Sequence, residues 1–257
     1  MPNGLNLKGR RRKIRFSTDA LVIKENSIGD NDRLLTLFTR DYGVIRAFAV
    51  GAKSVKSRRG SATGLLSYSN FLLDQKGDTY KVIEATANKV FFGAGSDVVT
   101  LTVAQYFCEL CAYLEPHGDT SDEFLRLILN SLYFMIDKKR SPALIKAITE
   151  LRVCCISGYS PSLVACDGCG KFEDRLMYFK LDNGMLYCED CKKDNCVKIS
   201  RTVLDAMRHI VFSDLKSLYA FDIPEKDVKA LEKITEKYII FQSEHKFSTL
   251  DFYHSVN

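Results

Sequence analysis

The pairs Cys166-x-x-Cys169 and Cys188-x-x-Cys191, separated by eighteen residues, constrain the fold more than any other feature of these 257 residues. Each pair sets two thiols on one tight turn, with Gly168 and Gly170 supplying backbone freedom. Two such turns complete a tetrahedral four-thiolate site, for which zinc is the fitting metal, as one structural ion. Four protein ligands leave no open coordination position, so the ion stabilises a segment too small to fold alone and does no chemistry. Between the pairs, residues 176–181 and 185–187 read as a hairpin turning at Asp182-Asn183-Gly184. A redox dithiol would instead want a C-x-x-C opening a helix beside a βαβ unit, and none is evident. Cys108-x-x-Cys111 and Cys154-Cys155 lie in amphipathic helical patterns and read as packing residues.

Upstream, five short β-rich runs occur in about 70 residues, at 20–24, 34–39, 44–50, 65–73 and 80–85, with turn residues such as Gly29-Asp30-Asn31 and Gly77-Asp78 between them. A five-stranded barrel of the OB type is the common form at this size. Leu21, Ile23, Leu35, Leu37, Phe48, Phe71, Val82 and Ile83 supply its interior, although alternation alone does not choose the inward set. Phe38, Tyr42, Phe48, Tyr68, Phe71 and Tyr80 are the rings available to stack on bases. Beyond Gly93 the apolar period changes to three and four, predicting helices over 101–114, 120–135, 141–155, 201–211 and 224–241. The expected class is therefore α+β. A basic, disordered arm (1–17) precedes an OB-fold DNA-binding domain (18–90), and a helical domain (91–162 and 199–257) carries an inserted zinc module (163–198).

Charge is divided unevenly. Residues 1–60 hold 14 Lys/Arg against 5 Asp/Glu, and the remainder holds 23 against 27, so a polyanion partner is expected for the first quarter. No acidic residue occurs between Asp41 and Asp74, which leaves Arg46, Lys53, Lys56, Arg58 and Arg59 without carboxylates in their own segment. Such a loop on a rigid strand suits the phosphate backbone, and a merely solvated basic loop is the alternative. Phosphate-loop, dinucleotide and nucleophile-elbow motifs fail at the positions that matter, and the four histidines have no evident catalytic partner, so the reading is a binding protein and not an enzyme. The absence of a long apolar run or signal-peptide pattern, with nine cysteines of which six fall in C-x-x-C pairs, points to a reducing, cytoplasmic setting.

The order of parts is specific. A block GDNDRLLTLFTRDYGVIRAFAVGAKSVKSRRGSATG is followed by a helical body containing ELRVCCISGYSPSL, a four-cysteine insertion and a last helix. From about Asp19 to Val256 this resembles the RecO family of bacterial DNA repair and recombination proteins. The resemblance implies binding of single- and double-stranded DNA and ATP-independent annealing of complementary strands. It also implies action with RecR, and with RecF in the same pathway, to load RecA onto strands coated by single-strand-binding protein, at the nucleoid. It points to Arg33, Arg40, Arg46, Lys53, Lys56, Arg58 and Arg59 as DNA contacts. Zinc would sit on Cys166, Cys169, Cys188 and Cys191. Arg152 and Lys246 are candidates for holding the acidic tail of single-strand-binding protein. The competing reading is a zinc-ribbon interaction scaffold that does not touch DNA.

Overall fold

The computed structural model describes residues 13–54, 59–91, 97–114 and 119–256. The chain divides into two compact units, Met1–Phe92 and Gly93–Asn257. In the first, β1 (Ile14–Ile28), β2 (Asp32–Thr39), β3 (Gly43–Ala49), β4 (Ser67–Lys76) and β5 (Thr79–Val90) close into a barrel in the order β1-β2-β3-β5-β4. All pairings are antiparallel except β3 with β5, whose short parallel contact at Ala47–Tyr80 and Phe48–Lys81 closes the cylinder. The first strand is three times longer than the run 20–24 suggests, because Arg15 and Lys13 are held by Asp74 on β4. The arm read over 1–17 therefore ends before Ile14, where β1 begins.

Alternation along the strands settles the interior. Ala20, Val22, Leu35, Leu37, Ile45, Ala47, Phe71, Leu73, Val82 and Ala85 pack together inside the barrel. Small residues on β3 leave room for Phe71, which is fully buried. Four expected interior residues stand elsewhere, among them Ile83, which is half-buried and outside this cluster. Leu21 is buried on the opposite face, in register with Phe38. Ile23 is the extra residue at a β-bulge between Val22 and Lys24, which shifts the alternation by one. Phe48 faces outward between Ala47 and Ala49 and is 42% exposed.

The second unit is built on α3 (Pro142–Ile156), which touches α1 (Val98–Leu114), α2 (Asp119–Leu132), α4 (Arg201–Phe212) and α5 (Glu225–Ser243). A one-turn widening of the helix at Tyr133–Asp137 follows α2, and α6 (Ser248–Val256), absent from the sequence reading, packs on α1. Glu109 on α1 fixes the start of α6 by accepting from the backbone N–H and hydroxyl groups of Ser248 and Thr249. Helix α5 is entered through Pro224. Asp227, three residues on, accepts from Ser200, the residue whose own side chain caps α4.

At the centre lies Lys146, fully buried. Its Nζ is 2.6 Å from Glu236 and 3.0 Å from Glu150, with Glu232 at 3.7 Å. Glu150, also fully buried, accepts from Tyr106 and Thr235, while Tyr253 donates to Glu232. Burial works against the charge of Lys146, but the three carboxylates outweigh it and hold the ammonium above its ordinary range. The network ties α1, α3, α5 and α6 together through charge-assisted bonds. Replacing Lys146 by Met strands Glu150 without its cation. We expect a loss of about 3–5 kcal/mol in urea unfolding, most of it recovered when Glu150 is also made Leu.

A second outcome concerns acid. Hydrogen bonds from Arg15 and then Lys13 hold the Asp74 carboxyl down to about 2. A depressed pKa contributes stability that is complete above the unfolded value near 3.9 and is lost as pH falls through about 2. Acid titration followed by circular dichroism should therefore show a shallower loss of barrel stability between about pH 4 and 2 in Asp74→Asn than in the parent chain.

Candidate metal centre and nucleic-acid interface

The four-cysteine segment is a three-stranded sheet, β6 (Met177–Lys180), β7 (Met185–Cys188) and β8 (Cys196–Ile199), in the order β7-β6-β8. The hairpin forms where Asn183-Gly184 permits it, with Gly184 at φ +66°. Strand β8, which the sequence reading did not foresee, carries Cys196 away from the other thiols, in register with Lys180 on β6. The sheet is seated on the helices. Tyr238 donates to the Tyr159 carbonyl at 2.9 Å and Gln242 to that of Leu181 at 3.0 Å. Arg208 donates to the carbonyls of Leu163, Val164 and Phe172.

Cys166, Cys169, Cys188 and Cys191 converge so that their sulfur atoms all lie within 4.8 Å of one another. Cys169 Sγ and Cys188 Sγ are 3.6 Å apart, close to the roughly 3.8 Å edge of a tetrahedron whose metal–sulfur bonds are about 2.3 Å. Donor chemistry agrees with this geometry. Burial opposes ionisation of Cys166, yet backbone N–H groups of Cys188, Cys169 and Gly168 outweigh it and hold the thiol down to about 6. The Cys188 N–H donates to that sulfur at 3.3 Å. Hydrogen bonding to Cys188 and Cys169 pushes Cys191 up to about 12, so the protons shared among these sulfurs are what a metal ion would replace. The remaining helical cysteines are different in kind, for burial alone pushes Cys108 up to about 12. Asp174, Cys188 and Asp190 also lie close, but Lys171 already pairs with both carboxylates.

In the barrel unit the candidate cations divide into two groups. Arg33 and Arg59 serve the fold. Arg33, 17% exposed, pairs with Glu25 at 2.8 Å and donates to the Gly60 carbonyl and the Thr63 hydroxyl, both at 2.8 Å. Arg59 donates to the carbonyls of Val50, Val82 and Ile83 and so ties the residue after β3 to β5. Arg40 pairs with Asp19 and donates to Tyr68 while remaining partly exposed. Arg46 and Lys53 are exposed. Lys56 and Arg58 lie outside the described residues.

Register brings further residues beside Arg46. Cross-strand partners share a face, so Lys24, Thr36 and Arg46 form one row on the barrel's outer surface, and Asn26, Leu34, Phe48 and Lys81 form the next. The two rows contain three cations and an exposed ring; the next residue in register after Lys81 is Asp74 on β4, a carboxylate already held by Lys13 and Arg15. Lys24 and Lys81 escaped the sequence reading because they come from strands far apart in the chain and meet only when the barrel closes. The signal available was their alternation with buried neighbours, which required the bulge position to be known.

The two candidates for tail binding are in dissimilar settings. Arg152, 14% exposed, donates to the carbonyls of Ile210 and Val211 at the end of α4 and pairs with Glu123 at 3.5 Å; its Nε is buried without a hydrogen-bond partner. Lys246 is 79% exposed and pairs with Asp251.

The knuckle geometry makes a sharp prediction at Gly168. A Cβ there would lie 2.9 Å from Cys191 Cβ and 3.0 Å from its Sγ, so Gly168→Ala must force the two turns apart. Cobalt titration followed by thiolate charge-transfer absorption should show at least a tenfold weaker site in that variant. Undiminished affinity would mean that the turns do not close on one ion.

Among the described residues no helix is long and apolar enough to cross a membrane. Residues 14–91 match the family model described as Recombination protein O N terminal, and residues 95–251 match Recombination protein O C terminal. A DNA repair protein RecO from Acetivibrio thermocellus is 31% identical over 239 residues, covering 92% of this chain and 95% of the relative. One from Desulfitobacterium hafniense is 30% identical over 209 residues, covering 79% and 76%. One from Caldicellulosiruptor bescii is 25% identical over 238 residues, covering 93% and 97%. Together with the five-stranded barrel, the helical unit and the four-cysteine cluster, these matches support a role in DNA repair: the chain belongs to the RecO family.

Proposed function

We propose that this protein is a non-enzymatic DNA-binding recombination mediator. It binds single- and double-stranded DNA and anneals complementary strands without ATP. With RecR, and with RecF in the same pathway, it helps load RecA onto strands coated by single-strand-binding protein. The observation that carries the DNA reading is the outer face across β1, β2, β3 and β5, where Lys24, Arg46 and Lys81 surround the exposed ring of Phe48 and the carboxylate next in register, Asp74, is already held by Lys13 and Arg15. Cations placed this way contact phosphates, and the ring stacks on a base irrespective of its identity. Annealing follows from charge: two strands repel through their phosphates, and a cationic face that holds both lowers that barrier without fuel.

The contact set we favour is Arg40, Arg46, Lys53, Lys56 and Arg58 from the basic block, joined by Lys24 and Lys81. Arg33 and Arg59 are engaged within the barrel unit and are left out of the set. In the second unit the four thiolates hold zinc, the ion whose preference for tetrahedral sulfur matches the cluster, and the ion keeps the ribbon ordered against α4 and α5. The acidic tail of single-strand-binding protein needs an apolar pocket with a cation for its carboxylate. Arg152 fits that role better than Lys246, because it is largely buried and its Nε has no hydrogen-bond partner.

Four measurements test the reading. With about five phosphates contacted, affinity for a single-stranded oligonucleotide should drop roughly 100-fold between about 50 and 200 mM salt. Replacing Lys24, Arg46 and Lys81 together by Ala should reduce the slope of log affinity against log salt by about 2. Phe48→Ala should weaken binding by roughly 1–3 kcal/mol while leaving that slope unchanged, the signature of a lost stack. Annealing of oligonucleotides precoated with single-strand-binding protein should proceed equally with and without ATP. A chain that binds no oligonucleotide at any salt concentration is instead a zinc-ribbon scaffold.

A further inference from the structure

A groove of about 270 Å³ runs between β8 and α5, on the unit that carries the cysteines. Its floor is aliphatic, made by Val197, Ala230 and Ile234, and its rim is cationic, made by Lys198, Lys233 and Lys237. Along α5 the residues Lys226, Ala230, Lys233 and Lys237 recur at intervals of four, three and four, so they share one face of the helix, and no acidic residue falls in that row. The lysines are exposed. Most lysines elsewhere on this unit are paired: Lys229 with Glu225, Lys192 with Glu189, Lys180 with Asp182 and Lys171 with Asp174. Lys198, Lys226, Lys233 and Lys237 have no carboxylate within ion-pairing distance among the described residues. Glu189, the carboxylate that senses Lys198, is already held by Lys192 and Tyr178.

The strand beside the groove adds a directional element. β8 lies at the edge of its sheet, with β6 as its only strand neighbour among the described residues. Consecutive residues of a strand point to opposite faces, yet Val197 and Lys198 both line the groove, so the groove follows the strand's open edge. An edge presents unpaired backbone N–H and C=O groups to whatever lies alongside it.

We propose that this groove is a docking site for an extended acidic peptide segment carrying aliphatic side chains, supplied by a partner protein. The segment lies along β8 as an added strand, sets alternate apolar side chains on Val197, Ala230 and Ile234, and directs carboxylates to Lys198, Lys233 and Lys237. Charge complementarity selects an acidic occupant, and the aliphatic floor selects a peptide over a nucleic acid, since no aromatic ring lines the groove to stack a base. The site is separate from the barrel face and stands independently of the DNA reading.

Fluorescence anisotropy on the full, metal-loaded chain tests this with a labelled octapeptide of alternating Asp and Ile. The controls are the same peptide with Asn for Asp and a single-stranded oligothymidine. The parent chain should bind the Asp peptide at least tenfold more tightly than the Asn peptide at low salt. Lys198→Gln, Lys233→Gln and Lys237→Gln combined should remove that difference while leaving oligothymidine affinity within twofold, and the corresponding triple Arg variant should retain it. Ala230→Arg adds a cation but fills the floor, so it should weaken the Asp peptide at least fivefold. Equal binding of the Asp and Asn peptides would overturn the proposal. So would indifference of the peptide to the triple Gln variant, or a loss of oligothymidine affinity in that variant as large as the loss of peptide affinity.

Discussion

The helical unit depends on one buried cation. Lys146 lies inside α3 without exposure, and three carboxylates from α3 and α5 converge on it while Tyr106 of α1 and Tyr253 of α6 donate to two of them. An ammonium placed in such an interior without partners would lose its proton or unfold its surroundings, so the geometry of the four helices is dictated by the need to keep these groups together. Apolar packing alone would tolerate small rotations of α5 on α3. A network with bonds of 2.6–3.0 Å does not, because each misplaced oxygen leaves a buried charge unmatched.

Through α5 that constraint reaches the ribbon. Tyr238 and Gln242 lie on the same helix as Glu232 and Glu236 and donate to the carbonyls of Tyr159 and Leu181, so the turns that carry the cysteines take their position from the helix the ion network orients. Gly184 illustrates the tightness, since a Cβ there would lie 2.5 Å from the Tyr238 hydroxyl. The four converging thiols bring the ribbon's two turns together, and α4 and α5 decide where the ribbon sits. The groove along β8 is a product of both.

In the barrel unit the corresponding lesson is about arginine. A guanidinium has five N–H donors in a planar fork and suits carbonyl and hydroxyl oxygens as well as phosphates. Arg33 and Arg59 use that fork inward, closing the barrel end on Gly60, Thr63, Val50, Val82 and Ile83. Arg46 faces outward from a strand, where the alternation that buries Ala47 and Ala49 exposes Arg46 and Phe48 between and beside them.

The amino-acid sequence by itself determined the features that rest on local spacing. The four-cysteine cluster was legible because ligand turns need two residues between thiols and a glycine where the backbone approaches closely. The barrel and the main helices were legible because periods of two and of three to four residues are imposed by the backbone. Tertiary structure decided the rest. A one-residue bulge at Ile23 changed which residues of β1 face inward, and barrel closure alone brought Lys24 and Lys81 beside Arg46. Lys146 looks in sequence like any helical lysine, and its burial follows from carboxylates more than 80 residues away. Which cation is free to meet a ligand and which is bound within the fold is a question of long-range partners, and spacing along the chain carries no information about those.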